Sequence, residues 1–283
     1  MEQVCCAGSG QGLLETTGVQ APPSSVLRIE IGQVPLELCS EDDELLRAAR
    51  DRYAGFWECG SPIWPVTVRA AKKVQPGSES VQAEIVPSGP GFSFHLNGAW
   101  LRMGAAASEF NGVGSEYTLD SLLRVLLSML LLPQRGFLLH AATVVRDGRA
   151  FIFTGRSGAG KSTIASLSPT GSVLTDEISL LRFLDGQWYA YGTPFWGEFR
   201  AEGMNRRVPV AGIYGLVQSA DGRAEPVAAR EAIRLLLPNV LFFARTRRER
   251  QQLLEIIAHV AETAPVYRLH FRPDVSFWEV IAG

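Results

Sequence analysis

The chain has 283 residues, 46% of them hydrophobic and 20% charged, with a formal net charge of −2 and a mean hydropathy of +0.08. That is the composition of a globular protein with material for a full core, arranged as one large domain or two small ones. A weakly acidic chain lacks the footprint for nonspecific nucleic-acid binding, and no apolar run is long enough to span a bilayer, so neither nucleic acid nor membrane is expected as a partner.

The four cysteines, Cys5, Cys6, Cys39 and Cys59, show no metal-ligand spacing. So few in a long chain argue for a reducing compartment, and the N-terminus lacks a signal peptide, which reads as cytoplasmic. Residues 1–25 are rich in Gly, Ser, Pro and Thr and are expected to form a disordered tail. Leu27–Leu38 alternates like a strand, and Ser40 opens a helix expected to reach about Phe56, with Asp42, Asp43 and Glu44 in its first turn. Ile63–Val74, Ser80–Val86 and Gly91–Leu96 read as short strands between Gly and Pro punctuation. Residues 26–117 are therefore expected to form a β-rich N-terminal subdomain, and residues 118–283 a second unit. The second unit opens with a buried helix from Thr118 to about Leu132, ended by Pro133.

Leu138–Val145 and Ala150–Thr154 are apolar runs separated by Arg146-Asp147-Gly148-Arg149, a strong hairpin signal. A helix over Lys161–Ser168 follows, then a strand over Val173–Thr175. A second hairpin, Ile178–Leu184 with Gln187–Tyr191, turns at Asp185-Gly186. Val208–Val217 reads as a strand, Ala228–Leu237 and Arg247–Glu262 as helices, Pro265–Phe271 as a closing strand, and Val275–Ile281 as a short helix. The basic cluster from Arg245 to Arg250 reads as the solvated face of a helix. The fold class is α/β with a mixed sheet.

The chemistry concentrates at Gly155-Arg156-Ser157-Gly158-Ala159-Gly160-Lys161-Ser162-Thr163, which satisfies GxxxxGK[ST] with a strand before and a helix after. Glycines let the backbone curl so that successive N–H groups face an anion, and the helix start adds its positive end. Lys161 reaches the β- and γ-phosphates of a nucleoside triphosphate, and the Ser162 hydroxyl suits Mg2+. Asp176 and Glu177 follow a strand, where acids hold Mg2+ or orient a nucleophile in such proteins. If Asp147-Gly148 is a two-residue turn, Arg146 pairs with Arg149. That register carries His140 to Gly155, at the loop. His95, His259 and His270 have no such argument.

Most phosphate loops follow a strand of a parallel sheet. A loop fed by the antiparallel hairpin Leu138-Leu-His-Ala to Val145-Arg-Asp-Gly-Arg-Ala-Phe-Ile-Phe-Thr-Gly-Arg-Ser-Gly-Ala-Gly-Lys-Ser-Thr resembles the catalytic domain of the HPr kinase/phosphorylase family. Phosphoenolpyruvate carboxykinase is a more distant relative of that fold. The resemblance covers roughly residues 136–283 and looks closest to short HPr-kinase-like proteins found beside biosynthetic operons, including those for lasso peptides. It implies an HPr kinase/PEP carboxykinase-like domain in which His140, Lys161, Ser162 and the pair Asp176-Glu177 match active-site residues. The family has an Asp-Asp pair whose second member takes the serine proton. Glu177 is one methylene longer, so either Asp176 or Glu177 is the base. The family's later Mg2+ carboxylate has no recognisable counterpart; Glu198 or Glu202, beside Gly192-Thr-Pro-Phe-Trp-Gly, can substitute. Arg200, Arg206 and Arg207 are candidates for its downstream arginine.

The function implied is an ATP- and Mg2+-dependent kinase acting on a hydroxyl of a peptide, protein or small molecule. The alternatives are a nucleotide-binding regulatory module and a plain NTPase switch. The donor base, the acceptor and homo-oligomer formation stay open. The aromatic pairs Phe195-Trp196 and Phe277-Trp278 read as packing residues or the lining of an acceptor groove.

Overall fold

Alternation of apolar and polar residues dominates the first part of the chain, and the protein folds it into a sheet. The computed structural model describes residues 25–57, 64–71, 84–88, 91–96, 99–104, 107–113, 116–169, 171–197, 204–243 and 246–282. The expected tail therefore lies outside the described residues, apart from Ser25.

Where one strand was expected there are two, β1 (Ser25–Ile31) and β2 (Val34–Ser40), paired antiparallel. They turn at Gly32-Gln33, both at positive φ. That geometry suits a two-residue hairpin, but glutamine is an uncommon occupant and hides the signal. Helix α1 (Asp43–Arg52) is capped by Asp42, whose side chain accepts from Glu44 N and Leu45 N. Ser40, the expected cap, ends β2 instead, and its hydroxyl accepts from Asp42 N. The α-helix stops at Arg52, and only a single tight turn continues to Phe56.

Strands β3 (Trp64–Ala71), β4 (Glu84–Ser88), β5 (Gly91–Leu96), β6 (Ala99–Met103) and β7 (Ser108–Val113) complete a mixed sheet in the order β1-β2-β3-β7-β6-β5-β4. The last two strands were not expected, being too short and too mixed in polarity to stand out. Helix α2 (Glu116–Leu130) begins one turn-half earlier than Thr118 and buries Leu119, Leu122, Leu123, Leu126 and Leu127.

The second mixed sheet is built on β8 (Gly136–Arg146) and β9 (Arg149–Thr154). Their turn, Asp147-Gly148, has both residues at positive φ, and the pairing runs from Arg146 opposite Arg149 to Ala141 opposite Thr154. This is the register the turn chemistry implied. After α3 (Lys161–Leu167) come β10 (Val173–Thr175), β11 (Ile178–Leu184), β12 (Gln187–Tyr191), β13 (Arg207–Gln218) and β14 (Arg223–Pro226). Then follow α4 (Ala229–Leu236), β15 (Val240–Leu241), α5 (Arg247–Thr263), β16 (Val266–Phe271) and α6 (Phe277–Ala282). β10 and β11 both pair with β8 antiparallel, while β13 pairs parallel with β9 and with β16. The loop-feeding strand is thus antiparallel to one neighbour and parallel to the other.

One hydrophobic cluster joins the two sheets: Leu27, Leu36 and Phe110 pack with Leu122 and Leu126 of α2 and with Leu138, Ile178 and Leu180. The basic residues at the start of α5 are exposed behind a Thr246–Glu249 capping box, as a solvated helix end should be. No helix among the described residues is long and apolar enough to cross a membrane.

A buried polar network ties α1 to α2. Arg52 Nε donates to Asp120 Oδ2 at 3.0 Å, Arg52 Nη2 contacts the same oxygen, and Tyr53 donates its hydroxyl to Asp120 Oδ1 at 2.8 Å. Burial pushes the Asp120 carboxyl up and the arginine opposes it. Removing one partner of a buried pair leaves the other charge uncompensated. Asp120→Asn should therefore lower the free energy of unfolding by about 3–5 kcal/mol in urea titration; a loss below about 1 kcal/mol, the value of an exposed pair, would show that the network contributes little.

Candidate functional site

β9 runs straight into the glycine-rich loop, and α3 starts at Lys161. Gly160 caps that helix at φ 109°, a conformation that favours glycine, and a Cβ there would lie 2.6 Å from the Phe271 ring. The loop is therefore pressed against the end of β16 as well as held by β9. Lys161 is buried, and its ammonium donates to the carbonyls of Gly155 at 2.9 Å and Arg156 at 3.2 Å. Burial pushes its pKa down, and Glu177 pulls the other way.

The acids sit in the turn between β10 and β11. Two buried hydroxyls fix that turn: Thr175 and Thr193 both donate to the Ile178 carbonyl, at 3.0 and 2.6 Å. The Glu177 carbonyl accepts from Ala141 N at 3.0 Å, which sets the acids beside His140 in β8. The two carboxylates differ in setting. Asp176 is buried and accepts from Gly197 N at 3.0 Å. Glu177 is 31% exposed and receives Arg124 Nη2 at 3.1 Å.

His140 occupies the next position in the hairpin register after the Ala141–Thr154 pair, and its carbonyl accepts from the Thr154 hydroxyl at 2.9 Å. Its pKa is lowered, first by burial and then by the charges of Lys161 and Arg124. The imidazole is neutral at pH 7 and is available as a donor or acceptor.

The structure thus brings together His140, Lys161, Asp176 and Glu177 at the loop. Ser162 is exposed at the first turn of α3, and Arg156, Ser157 and Gly158 are exposed along the loop. Glu198, Glu202 and Arg200 lie outside the described residues, although Gly197 does return to Asp176. A Cβ at Gly197 would come within 3.2 Å of Glu177 Cβ, so a larger residue there would press on the Glu177 side chain. Arg207 covers the Tyr189 ring instead of the loop. The aromatic pairs are packing residues: Phe195 and Phe277 are buried, Trp196 lies 3.8 Å under the Arg52 guanidinium, and Trp278 packs edge-on against Phe151 and Phe153.

Arg124 was missed as a candidate for the site. In the sequence it only interrupts an apolar run. In the fold it is the one cation on a helix face of buried leucines, pairs with Glu177, and lies 5.2 Å over Phe195. Its buried Nε has no hydrogen-bond partner. A lone basic residue inside an otherwise core-facing helix is the signal that could have found it.

A family model described as SynChlorMet cassette protein ScmC matches residues 119–283, more than half of the chain. The chain belongs to this family. The ScmC match begins inside α2, so it takes in Arg124, His140, the loop and both acids. No curated protein matches. Among solved structures, the Hpr(Ser) kinase/phosphatase from Coxiella burnetii is similar over 44% of this chain and 89% of that chain, at 14% identity and a TM-score of 0.26. So slight a likeness carries no argument here.

His140 gives a pH signature. Burial holds its folded pKa below the ordinary histidine value of 6.5, so its contribution to stability is complete above 6.5 and is lost as pH falls through the folded value. Urea midpoints measured from about pH 7.5 down to about pH 5.5 should fall more steeply for wild type than for His140→Gln. Parallel curves would show that His140 is not held neutral by its surroundings.

Proposed function

We propose that the chain is an ATP-dependent kinase that transfers the γ-phosphoryl group, with Mg2+, to a serine-type hydroxyl of a peptide, protein or small molecule. The observation that carries this reading is the meeting of Lys161, neutral His140 and two unlike carboxylates at a curled glycine-rich loop. Lys161 is bonded to the loop's own carbonyls, where it can exchange those partners for phosphate oxygens.

On this reading the loop amides of residues 155–163 and Lys161 hold the triphosphate. Among the described residues no group of three or more His, Cys, Asp and Glu side chains forms a metal cluster. That fits Mg2+, which binds through one or two protein groups with phosphates and water completing its shell. Ser162 and the buried Asp176 are the donors for it here, and the ion would supply charge neutralisation on the phosphates. Glu177, more exposed and on the outer side of Asp176, takes the proton of the acceptor hydroxyl. Arg124, 3.1 Å from its carboxylate, orients Glu177 toward the acceptor. Phosphoryl transfer of this kind is mostly positioning and electrostatics, so these contacts suffice without a covalent enzyme intermediate. The division into a β-rich layer, residues 26–117, and a nucleotide-binding part, residues 118–283, belongs to the same proposal.

The test is transfer from γ-labelled ATP with Mg2+. The family description names a cassette, so the products encoded beside the gene are the first acceptors to try. Lys161→Ala and Glu177→Gln should each lower the rate by about 10²–10⁴-fold, with Glu177→Gln keeping nucleotide affinity. If nucleotide binds but no phosphoryl group ever leaves it, the chain is a regulatory module rather than a kinase.

A further inference from the structure

A pocket of about 590 Å³ opens beside the glycine-rich loop. One wall is the loop from Gly155 to Ala159, and the other is the C-terminal end of β13 with the face of α4. It lies on the flank away from the acids. β9 stands between β8 and β13; Asp176 and Glu177 join two strands that pair with β8, whereas the pocket is built on β13 and α4.

Phosphoryl transfer places the attacking and leaving oxygens roughly in line. A donor whose γ-phosphate faces the acids has its leaving oxygen pointing away from them, which directs the rest of the donor toward the opposite flank. The pocket's chemistry suits that part. Val217, Leu235 and Pro238 offer apolar surface for a base. Gln218 and Asn239 each use the amide NH2 on a backbone carbonyl, Gly158 at 3.1 Å and Leu235 at 2.9 Å, so each keeps its oxygen as an acceptor for a ligand N–H. Glu231, held by Arg268 at 2.5 Å, presents a carboxylate that can accept ribose hydroxyls. The volume falls in the range of small-molecule sites. We infer that this pocket seats the nucleoside of the donor triphosphate, an inference that rests on the phosphate reading of the loop.

The experiment compares the affinities of wild type for Mg-ATP and for Mg-tripolyphosphate by calorimetry, then repeats both with Val217→Trp. Val217 is 37% exposed, so the larger ring fills the pocket without loading the core. Pro238→Trp, on the exposed α4 side, gives the same readout if the first variant does not fold. Wild type should bind ATP at least about tenfold more tightly than tripolyphosphate. The variant should lose that difference while its tripolyphosphate affinity stays the same. Equal affinities in wild type would overturn the nucleoside assignment and leave the phosphate reading standing. An unchanged ATP affinity in the variant, or a parallel loss of both ligands, would also overturn the assignment. If wild type binds neither ligand, the phosphate reading fails and this inference fails with it.

Discussion

Strand β8 is paired along both edges, and His140, the start of the loop and the two acids take their positions from those pairings. On one edge the Asp147-Gly148 turn locks β9 in register, which delivers the start of the loop to the level of His140. On the other edge β10 and β11 dock antiparallel, and the turn between them carries Asp176 and Glu177 to the same level. A slip of one residue in the β8–β9 ladder would shift the loop relative to His140, and one in the β8–β11 ladder would shift the acids relative to it. Two buried threonine hydroxyls on one carbonyl, at Ile178, make the acid-bearing turn resistant to such a slip.

Charge is arranged in layers behind this frame. Arg124 touches Glu177 at the surface of the site, and its charge also acts on His140 and on Asp120. Asp120 in turn is held by Arg52, whose guanidinium covers Trp196, next to the glycine that binds Asp176. The two helices α1 and α2 thereby connect to the segment that returns after β12. The Glu177 carboxylate is paired with a neighbouring cation, while the His140 pKa is lowered by burial and then by the charges of Lys161 and Arg124. Arg124 therefore serves both groups: it pairs with Glu177, and its charge opposes a proton on the His140 ring.

Much of the nucleotide-side architecture was legible in the sequence because its signals are local. Asp-Gly turns fix two-residue hairpins, so the β8–β9 and β11–β12 pairs and the register at His140 followed from the chain itself. The first sheet was less legible. Gln33 takes a turn position that usually belongs to Gly or Asn, so two strands read as one. β6 and β7 are short, and β2–β3 and β3–β7 pair in parallel through connections that leave no turn signal. Arg124 was invisible for a different reason. Its meaning depends on Glu177, 53 positions away, and no period or motif relates the two. Capping was misplaced by two residues at α1 because Ser40 and Asp42 are both good caps, and the strand claimed the first.

The central claim is that Gly155–Thr163 holds a triphosphate with Lys161 on its outer phosphates and Asp176 and Glu177 facing the transferred group. The most direct test is a crystal structure with Mg2+ and a non-hydrolysable ATP analogue. The account predicts phosphates against the loop amides, Lys161 Nζ moved from the Gly155 and Arg156 carbonyls to phosphate oxygens, and the terminal phosphate on the side of the acids. An analogue bound elsewhere, or Lys161 still bonded to the two carbonyls, would contradict it.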